Sequence, residues 1–298
     1  MNIGIGTYSF GGMASYLGLG LTLLEKLEAA KRLGFTQVEL LPVDLYNDPE
    51  DIKKWLAQTG LEIVSVHAEP NEEMVKRLAA VGGKAVIWPM TAFCNKAEAI
   101  EVAKQLDEMA EMAAPYGIKV AYHNHSQEFY FAEGKLLIEH LMDNGSKFYL
   151  QLDCGWSMNG GFYPPYIIRK YRNRILSIHV KENDKVNGPG GKPASRHAEQ
   201  TRPSFARGNV LEIPVEERQK ILDQITERMK NATVNQKNNQ CPMGAPESNI
   251  NWLEIKQALD EQDFEAFWIV EREGFYDERD VCLAEDVAWL KANIKPCR

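Results

Sequence analysis

Lys119-Val120-Ala121-Tyr122-His123-Asn124-His125 reads as a short buried strand that runs into imidazoles. Side chains alternate across a strand, so His123 and His125 share a face if extended backbone continues through both. The same kind of ending recurs downstream: Asp153 in Leu152-Asp153-Cys154-Gly155-Trp156, His179 in Ile178-His179-Val180-Lys181, and Glu271 in Trp268-Ile269-Val270-Glu271. Each lies at the end of an apolar run. Carboxylates and imidazoles delivered one per strand from successive strands are what a divalent metal site needs.

Working outward, strand-like and helix-like runs alternate along the whole chain. The expected strands are Ile3–Tyr8, Gln37–Leu41, Glu62–His67, Ala85–Pro89, Lys119–His123, Tyr149–Asp153, Ile175–Val180 and Phe267–Glu271. Between them lie runs of helical period such as Leu21–Leu33, Asp51–Gln58, Glu72–Ala80 and Ala97–Ala114. Gly34, Gly60 and Gly117 stand where helices should stop, and Asp48 and Asn71 where they should start. This α/β alternation fits a (β/α)8 barrel, with a doubly wound open sheet as the alternative. The polar residues favour the barrel. An open sheet gathers them near one switch point, whereas here the third, fifth, sixth, seventh and eighth strands all end in ionisable groups.

One segment breaks the rhythm. Residues 183–250, between strand 7 and helix 7, form a long insertion in what otherwise reads as a single domain over 1–298. Asn187–Arg202 is rich in Gly, Pro and charge, Asn231–Gln240 is rich in Asn and Gln, and Pro214–Met229 is helical in pattern. The insertion emerges on the rim that carries the ionisable groups, as a lid, a subunit contact or a surface excursion.

A formal charge of −8 over 298 residues argues against nucleic acid or an anionic membrane as partner. No apolar stretch approaches a membrane span, no signal peptide is evident, and five cysteines form no CxxC pair, so a reduced cytoplasmic protein is expected. Three carboxylates and an imidazole make a mixed oxygen-and-nitrogen set. It suits Mn²⁺, Co²⁺, Zn²⁺ or Mg²⁺, whereas a structural zinc would more often take thiolates. Taken alone each residue has a plainer role: Asp153 could cap the following turn, and a lone His is more often structural, as expected for His140 and His197.

Together these strand ends are similar to the sugar phosphate isomerase/epimerase family, of the xylose isomerase-like TIM barrel superfamily. The residues that carry the resemblance are Tyr122-His123-Asn124-His125-Ser126-Gln127-Glu128-Phe129, Leu152-Asp153-Cys154-Gly155-Trp156, His179-Val180-Lys181 and the strand ending at Glu271. The superfamily also holds inosose dehydratases and relatives of endonuclease IV. The resemblance implies a divalent ion, Mn²⁺ foremost, held by a Glu from strand five, Asp153, His179 and Glu271. Glu128, folding back from its loop, is expected to supply that first carboxylate, with His123 as the competing ligand. Pro246-Glu247-Ser248-Asn249-Ile250-Asn251-Trp252 lacks the glycines that relatives carry before the seventh helix.

The chemistry so implied is proton abstraction next to the carbonyl of a sugar or keto-sugar. Glu271 and the strand-five group, Glu128, His123 or His125, act as bases, and Lys181 holds an oxyanion. His67, Lys181 and Trp156 are expected to contact substrate. Reprotonation gives isomerisation or epimerisation. Loss of a β-substituent gives a dehydratase or lyase acting on an inosose or 3-keto-glycoside, the alternative, and a non-catalytic sugar-binding barrel is a further one. A homo-oligomer fits the family habit.

Overall fold

The computed structural model describes residues 2–198, 209–231 and 241–295. Eight parallel strands close into a barrel: β1 (Gly4–Gly6), β2 (Gln37–Leu40), β3 (Glu62–His67), β4 (Ala85–Trp88), β5 (Lys119–His123), β8 (Tyr149–Asp153), β9 (Ile175–Val180) and β10 (Phe267–Val270). Helices follow the strands, so the chain forms the expected (β/α)8 barrel. The added pair, β6 (Phe131–Ala132) and β7 (Lys135–Leu136), is a small antiparallel hairpin that the alternating pattern does not announce.

Because a parallel barrel strand is covered on both faces, these strands read as short, largely apolar runs. Outward residues such as Val38, Val66, Val120, Leu152, Val180 and Trp268 pack under the helices in the main core. Inward, Ala85, Ile87, Ala121 and Leu176 fill the lower barrel. Gly4 lies on that inner wall, where a Cβ would come within 2.5 Å of Ile269 Cδ1 and displace the end of that side chain. Helix ends follow the local chemistry. Asp48 and Asn71 accept backbone N–H bonds from Glu50 and Met74, and Gly34, Gly60 and Gly117 adopt the left-handed backbone that terminates a helix at little steric cost.

Register sets the site. His123 pairs with Gln151, Asp153 with His179, and His179 with Ile269, so polar residues at the ends of β5, β8 and β9 are neighbours across the barrel mouth. β1 ends at Gly6, and the chain turns through a 3-10 helix at Thr7–Phe10. This brings Tyr8 out of the strand and toward the rim.

The segment between β9 and the helix Trp252–Asp260 contains the helix Val215–Asn231, close to the expected Pro214–Met229. The Asn- and Gln-rich run over 232–240 and the end of the Gly- and Pro-rich run lie outside the described residues. The segment is tied down at several points. Ser195 Oγ and the Arg196 N–H donate to Glu98 at 2.6 and 3.1 Å. Glu182 is buried and accepts from the N–H groups of Asn183 and Gly244, from Trp252 Nε1 and from the Ser248 hydroxyl. Cys94, Cys154, Cys241 and Cys282 are free and buried. No helix among the described residues is long and apolar enough to cross a membrane.

Candidate metal centre

The centre is organised from below by Glu39, a charged residue at mid-strand in β2. Its carboxylate accepts from Ser65 Oγ at 2.6 Å and Gln151 Nε2 at 2.7 Å, and it pairs with His179 Nε2 at 2.7 Å. A carboxylate cannot donate, so the Gln151 amide must turn its NH2 to Glu39 and its oxygen upward. That oxygen lies 2.7 Å from His67 Nε2 and 3.0 Å from His123 Nδ1. Both imidazoles therefore donate to it, which leaves His123 Nε2 with its lone pair directed elsewhere. It faces Asp153 Oδ2 at 3.9 Å. His179 donates Nε2–H to Glu39 and turns Nδ1 to the barrel mouth, where Glu271 Oε2 lies 3.2 Å away.

Asp153 serves two purposes. Oδ1 accepts from the Trp156 N–H at 2.7 Å and so caps the helix Cys154–Asn159. Oδ2 points the other way. Asn124 fixes this orientation by accepting from the Asp153 N–H at 3.0 Å, bridging the ends of β5 and β8. Asp153, His179 and Glu271 offer ligand atoms all within 4.8 Å of one another, and so do His67, His123 and His179.

These residues fit a divalent ion. Asp153 Oδ2 and His179 Nδ1 are buried and make no well-oriented hydrogen bond among the described residues; what they meet is charge, Lys181 Nζ at 3.1 Å from the first and Glu271 Oε2 at 3.2 Å from the second. The carboxylates of Glu39, Asp153, Glu271 and Glu273 outnumber the cationic groups beside them, and that surplus favours a divalent cation. The His179 imidazole held by Glu39 is the arrangement that orients a metal-ligating histidine.

Lys181 is the competing cation. Its ammonium is fully buried, 3.1 Å from Asp153 Oδ2, 2.8 Å from Glu271 Oε2 and 2.7 Å from Glu273 Oε1. Gly155 makes this possible, since a Cβ there would lie 2.7 Å from Lys181 Cγ and from its carbonyl oxygen. The Trp156 ring packs 5.1 Å from the ammonium. Burial alone would lower the Lys181 pKa, but Asp153 and Glu271 overcome it and push it well above the usual lysine range.

The other titrations follow the same fields. Burial opposes ionisation of Glu39, yet His67 and His179 bring its pKa down to about 2. Burial likewise works against the Glu271 carboxylate, and Lys181 and His179 override it, holding the carboxyl well below the usual range. His179 is driven well above the normal imidazole value by Glu271 and Glu39 despite its burial. His123 moves the other way: desolvation, then the neighbouring His179 and His67, keep it neutral. Tyr8 is raised by burial and by Glu273 and Glu271, so its phenol stays protonated beside the centre.

The structure thus brings together His67, His123, Asp153, His179, Lys181 and Glu271. Glu128 does not join them. Its carboxylate accepts from Tyr122 Oη at 2.7 Å and from the His125 N–H at 2.8 Å, closing the turn after β5. His125 stands above His123, with ring centroids 5.0 Å apart, and against Trp156 at 5.5 Å; its Nδ1 is buried without a partner among the described residues. His140 is structural, bonded to the Ala132 carbonyl, and His197 lies apart, beside Glu101. Glu39, Gln151 and Tyr8 are functional neighbours that strand-end reasoning passes over. A Glu in a strand buried on two faces was the available signal for the first.

A family model described as "Xylose isomerase-like TIM barrel" matches residues 27–293. Comparison with curated proteins gives no match. Among solved structures, a sugar phosphate isomerase/epimerase from Parabacteroides distasonis is 17% identical with a TM-score of 0.66, covering 98% of this chain and 94% of that one. The probable 3-DHS dehydratase AsbF from Bacillus anthracis is 14% identical, TM-score 0.62, covering 99% of this chain and 100% of its own. An L-ribulose 3-epimerase is 14% identical, TM-score 0.62, covering 99% and 95%. At these identities the likeness is one of fold.

Proposed function

The chain belongs to the xylose isomerase-like TIM barrel family, and on that premise we propose that it is a divalent-metal-dependent isomerase or epimerase of a sugar or keto-sugar. The observation that carries the reading is the buried trio Asp153, His179 and Glu271, whose ligand atoms all lie within 4.8 Å of one another at the barrel mouth. In this proposal Asp153, His179 and Glu271 hold the ion, Mn²⁺ foremost. His123 Nε2 stands on the strand-five side in place of the carboxylate expected from Glu128.

A bound divalent ion supplies Lewis-acid stabilisation of negative charge on a substrate oxygen. The protein's residues do the rest. His67 and Trp156 orient the sugar. His125, with its open Nδ1 against Trp156, removes the proton from the carbon next to the carbonyl, and Glu271 serves the opposite face. Lys181 neutralises the oxygen charge that develops as the carbon–hydrogen bond breaks. The proton returns to the same carbon from the other face for epimerisation, or to the neighbouring carbon for isomerisation. The first stage is common to both.

One observation favours a second reading. The Tyr8 phenol is held protonated beside Glu271 and Glu273, where an acid would stand to protonate a departing β-oxygen. Enolisation followed by that loss is a dehydratase or lyase reaction. Incubating metal-loaded protein with ketoses and inososes in D2O decides the matter. Deuterium at the α-carbon with otherwise unchanged mass supports the isomerase, loss of water or of an aglycone supports the lyase, and no deuterium in any substrate sinks both.

A further inference from the structure

Beside the metal centre lies a cavity of about 360 Å³ that none of the proposed ligands line. Three chain segments wall it. The turn after β1 contributes Tyr8 and Phe10, the segment after β10 contributes Glu273 and Phe275, and the inserted helix Val215–Asn231 contributes Leu222 and Thr226. Glu273 belongs to both spaces, because its carboxylate is 2.7 Å from Lys181 Nζ. Tyr8 feels the charges of Glu271 and Glu273. Glu273 thus links the cavity wall to the candidate centre.

The helical wall is fixed to the barrel. Arg218 is buried, and its Nη1 donates to the carbonyls of Leu17 and Gly18 at 2.8 and 3.0 Å while Nε donates to that of Ile213. Val210, Ile213, Ile221 and Leu222 pack with Leu17, Leu41 and Val43 in a separate apolar cluster. A wall held by a buried guanidinium and an apolar cluster is preorganised for a ligand.

The lining chemistry selects the class of ligand. The two guanidiniums at its edge are committed to the protein: Arg272 holds Asp286 through Nε and Nη2 at 2.5 and 2.7 Å, and Arg279 bonds to the Phe10 carbonyl and to Asp280. A phosphate would have to take them from those partners. The Glu273 carboxylate repels anions and accepts from hydroxyls, and Tyr8, Phe10 and Phe275 supply ring faces. Rings over apolar sugar faces with a few hydroxyl-bonding groups suit a neutral polyhydroxylated ring. The volume is near the lower end of the roughly 300–1,000 Å³ usual for small-molecule sites, room for one ring.

We propose that the insertion builds a second sugar subsite here, so that the substrate is a glycoside or disaccharide whose second, neutral ring occupies this cavity. The proposal rests on the enolising centre of the preceding section. Its test compares D-fructose with its glucosyl derivative isomaltulose, following solvent deuterium incorporation by metal-loaded full-length protein. Wild type is expected to show a kcat/KM at least tenfold higher for isomaltulose. Thr226→Trp, at an exposed helix position that projects bulk into the cavity, is expected to reduce that ratio at least tenfold with an unchanged circular dichroism spectrum. Phe275→Ala, which removes a ring face from the other wall, is expected to lower the same ratio. Equal efficiency with both sugars, or a ratio that neither substitution moves, overturns the subsite and leaves the enolising centre standing. Absence of exchange with isomaltulose while another ketose or an inosose exchanges overturns the subsite alone, and absence of exchange with every one of these substrates overturns the centre with it.

Discussion

Replacing Glu39 by Gln probes the base of the centre while leaving every proposed ligand in the sequence. The carboxylate supports His179, Ser65 and Gln151 at once, and its pKa is drawn from an ordinary 4.5 to about 2, chiefly by His67 and His179 against the cost of burial. At ~1.4 kcal/mol per pKa unit this depression corresponds to ~3 kcal/mol of folded-state stabilisation. A depressed carboxyl contributes fully above its unfolded value and loses its contribution as pH falls through the folded one. Metal-free wild type should therefore exceed Glu39→Gln by ~3 kcal/mol from pH 7 down to about pH 5, and the gap should close toward pH 2. Urea unfolding of both proteins in chelator at a series of pH values measures it. The substitution also frees the His179 tautomer, so Mn²⁺ affinity at pH 7 should fall by roughly 10–100-fold. A gap that stays constant with pH, together with unaltered metal affinity, would refute the role assigned to Glu39.

Two further substitutions separate the ligands from their neighbours. Glu128→Gln should keep the metal while losing roughly 1–3 kcal/mol of stability, because Tyr122 Oη and the His125 N–H lose a charged acceptor; His123→Ala should lose metal affinity, and calorimetric titration of the two would expose the reverse order. Lys181→Met removes an ammonium 3.1 Å from Asp153 Oδ2 and 2.8 Å from Glu271 Oε2, so metal affinity should rise about tenfold or more while deuterium exchange into substrate falls. Unchanged affinity there would mean that lysine and metal do not share those oxygens.

The barrel was legible because strands buried on two faces read as short Val- and Ile-rich runs, and because their polar ends must converge once the sheet closes. Asp153, His179 and Glu271 stand out at such ends, and the register of β8 and β9 makes the first two direct neighbours. Glu39 escaped the same reading because it lies in mid-strand, where a lone charge resembles the solvent side of an alternating strand. Tyr8 was read as the last residue of the first strand, but the backbone leaves extended geometry after Gly6 and swings the phenol to the rim. Glu128 has the spacing to fold back on the barrel. What its carboxylate meets depends on the Tyr122 hydroxyl and the His125 N–H, a tertiary contact that spacing alone does not specify. The cavity against Leu222 and Thr226 was hidden for a similar reason, since it exists only where the inserted helix docks on the β1 turn.

The account stands on one ion being held where Asp153 Oδ2 and His179 Nδ1 converge. Titrating Mn²⁺ into chelator-stripped protein by calorimetry, in two buffers of different ionisation enthalpy, measures both the stoichiometry and the protons released. The predicted result is one ion per chain, with release of the proton that His179 holds on Nδ1 in the metal-free state, and no binding to Asp153→Asn, which keeps the Trp156 cap. Absence of binding by the wild type, with no gain in melting temperature, would contradict it.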